Sequence, residues 1–510
     1  MNGFPWLTLI VFLPWAGAAL LALLPKLDVR AGRVLALVFS LSTLVVGLAL
    51  LPSFKHAAAG YAFTEDHAWI AALQVNYHLG LDGLSLVLVL LTGLVAPGAL
   101  LASWRETRDP RFFHILFLLL QGSALGVFLA LNFFLWFIFW ELSLVPAFFL
   151  IKLWGGAGAS RAAYQFIIYT MAGSACMLLG FAAIFAVTGT LDLARLATLA
   201  ADGTLAAKLA VLGGFWPKAV FLGVFLGLAV KVPLFPFHTW LPAAYAEAPV
   251  GVSMFLTGVM SKMGVYGFFR ILWPLFPGPL QAASGVLLWL ALGGVVLGAF
   301  AALRQTDLKR MVAYSSINHV SYCLLALFAV TAATGGVGAD GGAAAALSGA
   351  VLQMFNHGIS AAALFFCIGV LESRSGGRRG RDEFGGVRSA APVFAGLCGL
   401  AMFSSLGLPG LNGFIGEFLI FRGVFALAPW AAAAGCLGLL VTAIFLLTFY
   451  QRVFHGPRAG AAAVEFRDLS GRELAVLVPA TALMLLLGVL PQILIGLYNP
   501  LISFWTAHLP

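Results

Sequence analysis

FFLWFIFWELSLVPAFFL, residues 133–150, decides the class of fold. It is apolar except for Ser143 and one acid, Glu141, near its middle. A run of this length, about 20 residues, can cross a hydrocarbon core as a helix. An acid at the centre of such a helix costs about 2.5–3.5 kcal/mol on insertion scales. A residue that is carried at that cost needs a partner or a purpose.

The rest of the chain reads the same way. Of 510 residues, 62% are hydrophobic and only 9% charged, whereas a water-soluble chain carries roughly 25% charged residues. The apolar runs approach 20 residues and do not alternate in ten-residue segments, so helices and not barrel strands satisfy their backbone. The expected fold is an all-α polytopic membrane protein with about fourteen transmembrane helices. Lysine and arginine total 28 against 19 acids, but they are dispersed among loops, and no basic stripe interleaves with aromatics. Nucleic acid is therefore excluded as a partner, and the lipid bilayer is the expected surroundings. The cysteines, Cys176, Cys323, Cys367, Cys398 and Cys436, stand alone in apolar runs without a CxxC pair, and read as small buried hydrophobes. The first apolar run has no basic residue before it and Lys26, Arg30 and Arg33 after it, the pattern of an uncleaved first span with its N-terminus outside.

Two spans should be broken. The seventh, 217–247, contains KVPLFPFHTWLP with Pro233 and Pro236, and the twelfth, 390–425, contains SSLGLPGLNGFIGEF with Pro409 and four glycines. Proline removes a ladder donor, and broken helices persist in membranes only where protein or water covers the freed backbone. With the N-terminus outside, inner loops hold 20 of the lysines and arginines and outer loops, Lys55 among them, hold five, as the positive-inside rule requires. Both termini then lie outside. The breaks sit five spans apart, which suggests an N-terminal three-helix segment at 1–110, five-helix repeats of opposite orientation at 111–275 and 276–455, and a C-terminal helix at 456–510. A glycine-rich GGVGAD, 335–340, lacks the following helix of a nucleotide site and reads as a loop.

Inside the spans lie Glu141, Lys231, His238, Glu247, Lys262, His319, His357, Glu417 and Arg422. Each could be a buried polar group tied to a neighbouring helix, or an end residue reaching for the interface. For Glu247, His357 and Arg422 that plain reading is as good as a functional one. For Glu141, Lys231, Lys262 and Glu417 it is the poorer one: two acids and two bases at membrane depth can compensate one another. His319 lies in the polar stretch YSSINHVSY, where Ser315, His319 and Tyr322 share one helical face. Acid beside base keeps its charge, separation of the two favours proton exchange near neutral pH, and histidine exchanges protons there unaided. The row is a switchable proton relay without a redox centre.

At this point a resemblance emerges. LGLDGLSLVLVLLT (79–92), WELSLVPAFFLI (140–151), KVPLFPFHTWLPAAYAEAPVGVSMFLTGVMSKMGVYGFFR (231–270), LKRMVAYSSINHVSY (308–322), MFNHGISAAALFF (354–366) and GLPGLNGFIGEFLIF (407–421) resemble the antiporter-like subunits of respiratory complex I. The likeness implies an ion pair between Glu141 and Lys231, central residues at Lys262 and His319, and a terminal group at Glu417. His238 and His357 match family positions of less defined role. It implies a proton-translocating membrane-arm subunit of NADH:quinone oxidoreductase in a bacterial inner membrane, with two sister antiporter-like subunits among its partners. NADH, FMN, iron-sulfur clusters and quinone would sit on partner subunits and no cofactor on this chain. A cation/proton antiporter subunit, a membrane-bound hydrogenase subunit and a structural spacer are the alternatives. Sister and antiporter subunits usually carry lysine where this sequence has Glu417.

Overall fold

The computed structural model describes residues 4–54, 60–333, 341–457 and 466–508; Lys55 and the 335–340 stretch lie outside them. Helices dominate: α1 Trp6–Leu23, α2 Val29–Phe54, then a hairpin of β1 Ala62–Ile70 and β2 Val75–Leu81, and α3 Gly83–Ala102. There follow α4 Pro110–Leu129, α5 Phe133–Trp154, α6 Ala159–Thr188, two short helices α7 Leu193–Ala201 and α8 Thr204–Ala210, α9 Trp216–Lys231 and α10 Leu241–Glu247. The chain continues through α11 Val250–Leu275, α12 Pro277–Arg304, α13 Leu308–Ala332 and α14 Gly342–Arg374. It ends in α15 Pro392–Leu406, α16 Asn412–Leu427, α17 Pro429–Phe454, α18 Gly471–Val489 and α19 Gln492–Ala507. Twelve of the described helices are long and apolar enough to span a membrane.

Three features depart from the expected all-helical plan. The hairpin pairs antiparallel, Glu65 opposite Leu79 and His67 opposite Tyr77, where only a loop was expected. Residues 193–210 form α7 and α8. The C-terminal segment is two helices rather than one, because α18 stops at Val489 and Pro491 opens a new one.

Burial sorts the helices. The most apolar windows of α11 and α14 are wholly buried and that of α13 nearly so, whereas α1, α2 and α18 turn most of theirs outward. The polar residues at membrane depth are concentrated on the buried three. α11 contains two widened, π-helical turns, Leu256–Met260 and Phe268–Leu272, one on each side of Lys262. Such turns loosen the backbone ladder and recur at functional sites.

The predicted breaks are present. α9 ends at Lys231, and regular helix resumes only at Leu241. The Trp240 indole donates to the Val230 carbonyl at 3.0 Å, which supplies a partner for backbone freed by the break. α15 ends on Gly407, whose φ of +79° is one that glycine alone adopts without strain. Leu408 N donates back to Phe403 O and closes the end.

The arginine-rich loops meet at one end of the bundle. Arg33 donates to the Glu106 carbonyl at 2.6 Å, Arg108 to that of Leu153 at 2.5 Å and Arg379 to that of Ala246 at 2.7 Å. Lys309–Glu372 (2.7 Å) and Arg374–Glu473 (2.8 Å) are ion pairs of the same end. Beside them a cavity of about 380 Å³ is lined by Arg105, Glu106, Glu247, Lys309, Glu372 and Arg379.

At the opposite end the hairpin docks through His78, whose Nδ1 lies 2.7 Å from Asp192 Oδ2, the residue that caps α7. The hydrogen bond to Asp192 holds the His78 imidazole above its ordinary 6.5. Burial works to raise the Asp192 carboxyl, but hydrogen bonds from His78 and from the Arg195 and Ala194 backbone hold it below its ordinary 3.8. The pair's contribution is therefore complete between those ordinary values. It is lost as pH rises through the raised value of His78, and again as pH falls through the lowered value of Asp192. Hydrogen exchange of the hairpin amides, corrected for intrinsic rate, should be slowest in that window and accelerate on the alkaline side. His78→Gln should flatten the alkaline limb.

Candidate functional site: a buried row of proton-exchanging groups

The centre of the site is Lys262, midway along α11 and wholly buried. Its Nζ donates to the Thr257 carbonyl at 2.6 Å and to His357 Nδ1 at 2.7 Å. Ser261 Oγ donates to that same carbonyl at 2.8 Å, so the widened turn supplies an acceptor for the ammonium. With Nδ1 accepting, the His357 proton is assigned to Nε2. The His357 ring stacks on His319 of α13 with centroids 5.3 Å apart. His319 Nδ1 in turn lies 3.1 Å from Glu417 Oε1 of α16, within ion-pair distance. The ring is not aligned for a hydrogen bond to it, and both ring nitrogens of His319 are buried without one. Gln353 Nε2 holds the same carboxylate oxygen at 3.3 Å.

Four helices thus deliver a contiguous row: Lys262, His357, His319, Glu417. Sequence reasoning weighed His357 evenly between packing and function, and the fold places it between Lys262 and His319. It also passed over Gln353 and Asn356, although both are polar at membrane depth and lie on the turn that carries His357. Asn356 Nδ2 donates to the Asn412 carbonyl at 2.6 Å and Ser404 Oγ to Asn412 Oδ1 at 2.6 Å, which staples the break between α15 and α16.

The other two charges lie at the neighbouring break. Lys231, the last residue of α9, donates to Ser143 Oγ at 3.4 Å and sits 4.8 Å over the Trp140 ring. The expected Glu141–Lys231 ion pair is not formed: Glu141 Oε1 is buried without a hydrogen-bond partner, while the ammonium turns to the hydroxyl and the indole face. The two act on one another through space only. Gly264 lets α11 approach this break, since a Cβ there would come within 2.5 Å of Val232 Cγ2. Lys231 and Lys262 are therefore on closely packed segments, with no side-chain contact joining them.

The remaining candidates lie apart. His238 stacks on Phe235 in the break, half-buried, with Nδ1 unpartnered. Glu247 belongs to the arginine-rich end, where its carboxylate accepts from Gly158 N at 2.9 Å and lies 3.8 Å from Arg379. Arg422 is exposed on α16.

Gly407 ties backbone geometry to this chemistry, because a Cβ there would meet Glu417 Oε2 at 2.6 Å. Gly407→Ala would add about 1–2 kcal/mol of left-handed strain and displace the carboxylate from His319. Proton movement through the row should fall several-fold, measured by fluorescence quenching in membranes and normalised to the amount of variant chain present.

Known proteins resemble the chain in sequence and in fold. Residues 130–444 match the family model described as NADH:quinone oxidoreductase/Mrp antiporter, transmembrane. The chain belongs to that family. It is 36% identical to NADH-quinone oxidoreductase subunit M of Mycobacterium tuberculosis, over 99% of this chain and 94% of the relative. Among solved structures, a chain of respiratory complex I from Thermus thermophilus with bound NADH superimposes with a TM-score of 0.84 at 30% identity, covering 99% of this chain and 100% of that one. A chain of the Mrp complex from Dietzia sp. DQ12-45-1b gives 0.79 at 19% identity, covering 99% and 100%, and shares the fold.

Proposed function

We propose that this chain is a subunit-M-type proton-translocating subunit in the membrane arm of an NADH:quinone oxidoreductase. The observation that carries the reading is the buried row from Lys262 through His357 and His319 to Glu417. Protons enter at the arginine-rich end, where the charged cavity meets the start of α11. They load Lys231 and Lys262, cross by the two histidines and leave past Glu417. His238 serves the loading side. The unpartnered atoms of Glu141, His238, His319 and His357 need hydrogen bonds that the protein does not supply, and water at those atoms would complete the path. Rearrangement of Glu141 against Lys231 couples the relay to a neighbouring subunit.

In this reading the twelve long helices and the two broken pairs, α9–α10 and α15–α16, make fourteen spans. Residues 111–275 and 276–455 are inverted five-helix repeats, framed by 1–110 and 456–510. The correspondence is supported by packing: α4 lies on α5 and α5 on α6, as α12 lies on α13 and α13 on α14. The arginine-rich end faces the cytoplasm and both termini face the periplasm of a bacterial inner membrane. Sister antiporter-like subunits flank the chain, and NADH, FMN, iron-sulfur clusters and quinone belong to other subunits. Glu417, where antiporter subunits usually carry lysine, favours this over a cation/proton antiporter subunit.

Purification of the native complex tests the reading. NADH- and quinone-binding subunits should copurify, and proteoliposomes should acidify internally on NADH oxidation. Recovery of sodium/proton exchange without those subunits would overturn it.

A further inference from the structure

Lys262, Tyr266 and Arg270 follow one another at four-residue steps along α11 toward the hairpin end. Arg270 is buried and paired with the buried Asp82. Its Nη1 donates to Tyr61 OH at 2.9 Å and its Nε to Tyr266 OH at 3.2 Å. Tyr266 OH donates to the Phe128 carbonyl at 3.1 Å and lies 3.4 Å from Ser85 Oγ. Asp82 also caps α3, accepting from Ser85 N at 2.9 Å. Beyond the pair a cavity of about 490 Å³ is lined by Tyr61, Asp82, Arg270, Trp273, Leu501 and Trp505. Two helical turns therefore separate that cavity from Lys262, and the pair stands at its wall.

On the reading that protons reach Lys262, this is a direct way out of the membrane, and it avoids the histidines. We propose that Arg270, braced by Asp82, Tyr61 and Tyr266, is a barrier that denies protons at Lys262 this direct exit and commits them to His357. An arginine does not give up its proton, so it cannot pass one on. Its fixed charge in a low-dielectric setting repels an approaching proton, as arginine does in pores that exclude protons. Tyr266 cannot bridge the gap, because its hydroxyl proton is committed to Phe128 O and it accepts from Arg270. Asp82 is the positioning residue: it holds and aims the guanidinium without facing Lys262.

The test uses the whole complex in liposomes without NADH, with a potassium diffusion potential driving protons and an internal pH dye reporting the passive flux. Arg270→Gln should raise the flux roughly tenfold or more, and adding Lys262→Met should return it to the wild-type level. Asp82→Asn breaks the same pair but keeps the cation, so it should stay tight. A tight Arg270→Gln complex, equal leaks in both single variants, or a leak that survives Lys262→Met would overturn the proposal. Because breaking a buried pair can prevent assembly, the neutral double variant D82N/R270Q gives the same test. There a Lys262-dependent leak supports the barrier, and a tight or Lys262-independent one overturns it. The flux is read without turnover, so it is separate from NADH-driven pumping by the wild-type complex, whose absence would instead refute the proposed function.

Discussion

Lys262→Met should abolish proton translocation while the subunit still assembles. Methionine fills a similar volume, and removing a buried ammonium eliminates its desolvation penalty. The loss is one donor each to the Thr257 carbonyl and His357 Nδ1, about 1–3 kcal/mol for a buried group and too little to unfold a bundle of this size. The chemical loss is total, because no other titratable side chain touches His357 from the α11 side. Positioned acid–base groups contribute factors of 10² to 10⁴, so pumping should fall roughly 100-fold or below detection. NADH-driven quenching in membranes, normalised to complex content on native gels, measures it. His357→Leu should behave alike, since it interrupts the row between Lys262 and His319. Wild-type stoichiometry in either variant would remove the row from the mechanism and leave the chain a structural spacer.

The membrane architecture was legible because its signals are local. The 62% hydrophobic composition, the apolar runs and the Pro233, Pro236 and Pro409 interruptions each act within one segment. The hairpin was not, because AFTEDHAWI carries no apolar alternation: its register is held by the partner strand and by Glu65, which caps α1 at Leu7 N from 2.7 Å. The site was half legible. Charge in an apolar span singles out Glu141, Lys231, Lys262 and Glu417 whatever the fold. Which of them touch depends on the packing of α11, α13, α14 and α16, whose residues are far apart in sequence. The central place of His357 and the stapling of the second break by Asn356 are of that kind. So is the Arg270–Asp82 pair: sequence reasoning placed Arg270 among the outer-loop charges and gave Asp82 no role.

Glu141→Gln should uncouple the relay, and the structure gives the reason. Glu141 and Lys231 stand apart, with the ammonium on Ser143 and Trp140 and the carboxylate oxygen unpartnered. A carboxylate oxygen buried without a hydrogen bond is a costly arrangement, favourable only if the charge does something on moving. If pumping alternates this open arrangement with a closed Glu141–Lys231 pair, the closed pair holds the lysine proton and the open one releases it toward Lys262. Glutamine keeps the shape and removes the charge, so the closed state loses its attraction and the lysine stops cycling. One unit of proton affinity corresponds to about 1.36 kcal/mol, so losing even that much coupling lowers pumping roughly tenfold. Quinone reduction should slow in parallel where electron transfer and pumping are tightly linked. Glu141→Asp, which shortens the reach but keeps the charge, should recover part of both. Ser143→Ala removes only the resting place of Lys231 and should lower pumping less than Glu141→Gln. If Glu141→Gln pumped at the wild-type proton-to-electron ratio, Glu141 would be a tolerated acid and the coupling would have to lie elsewhere along α9.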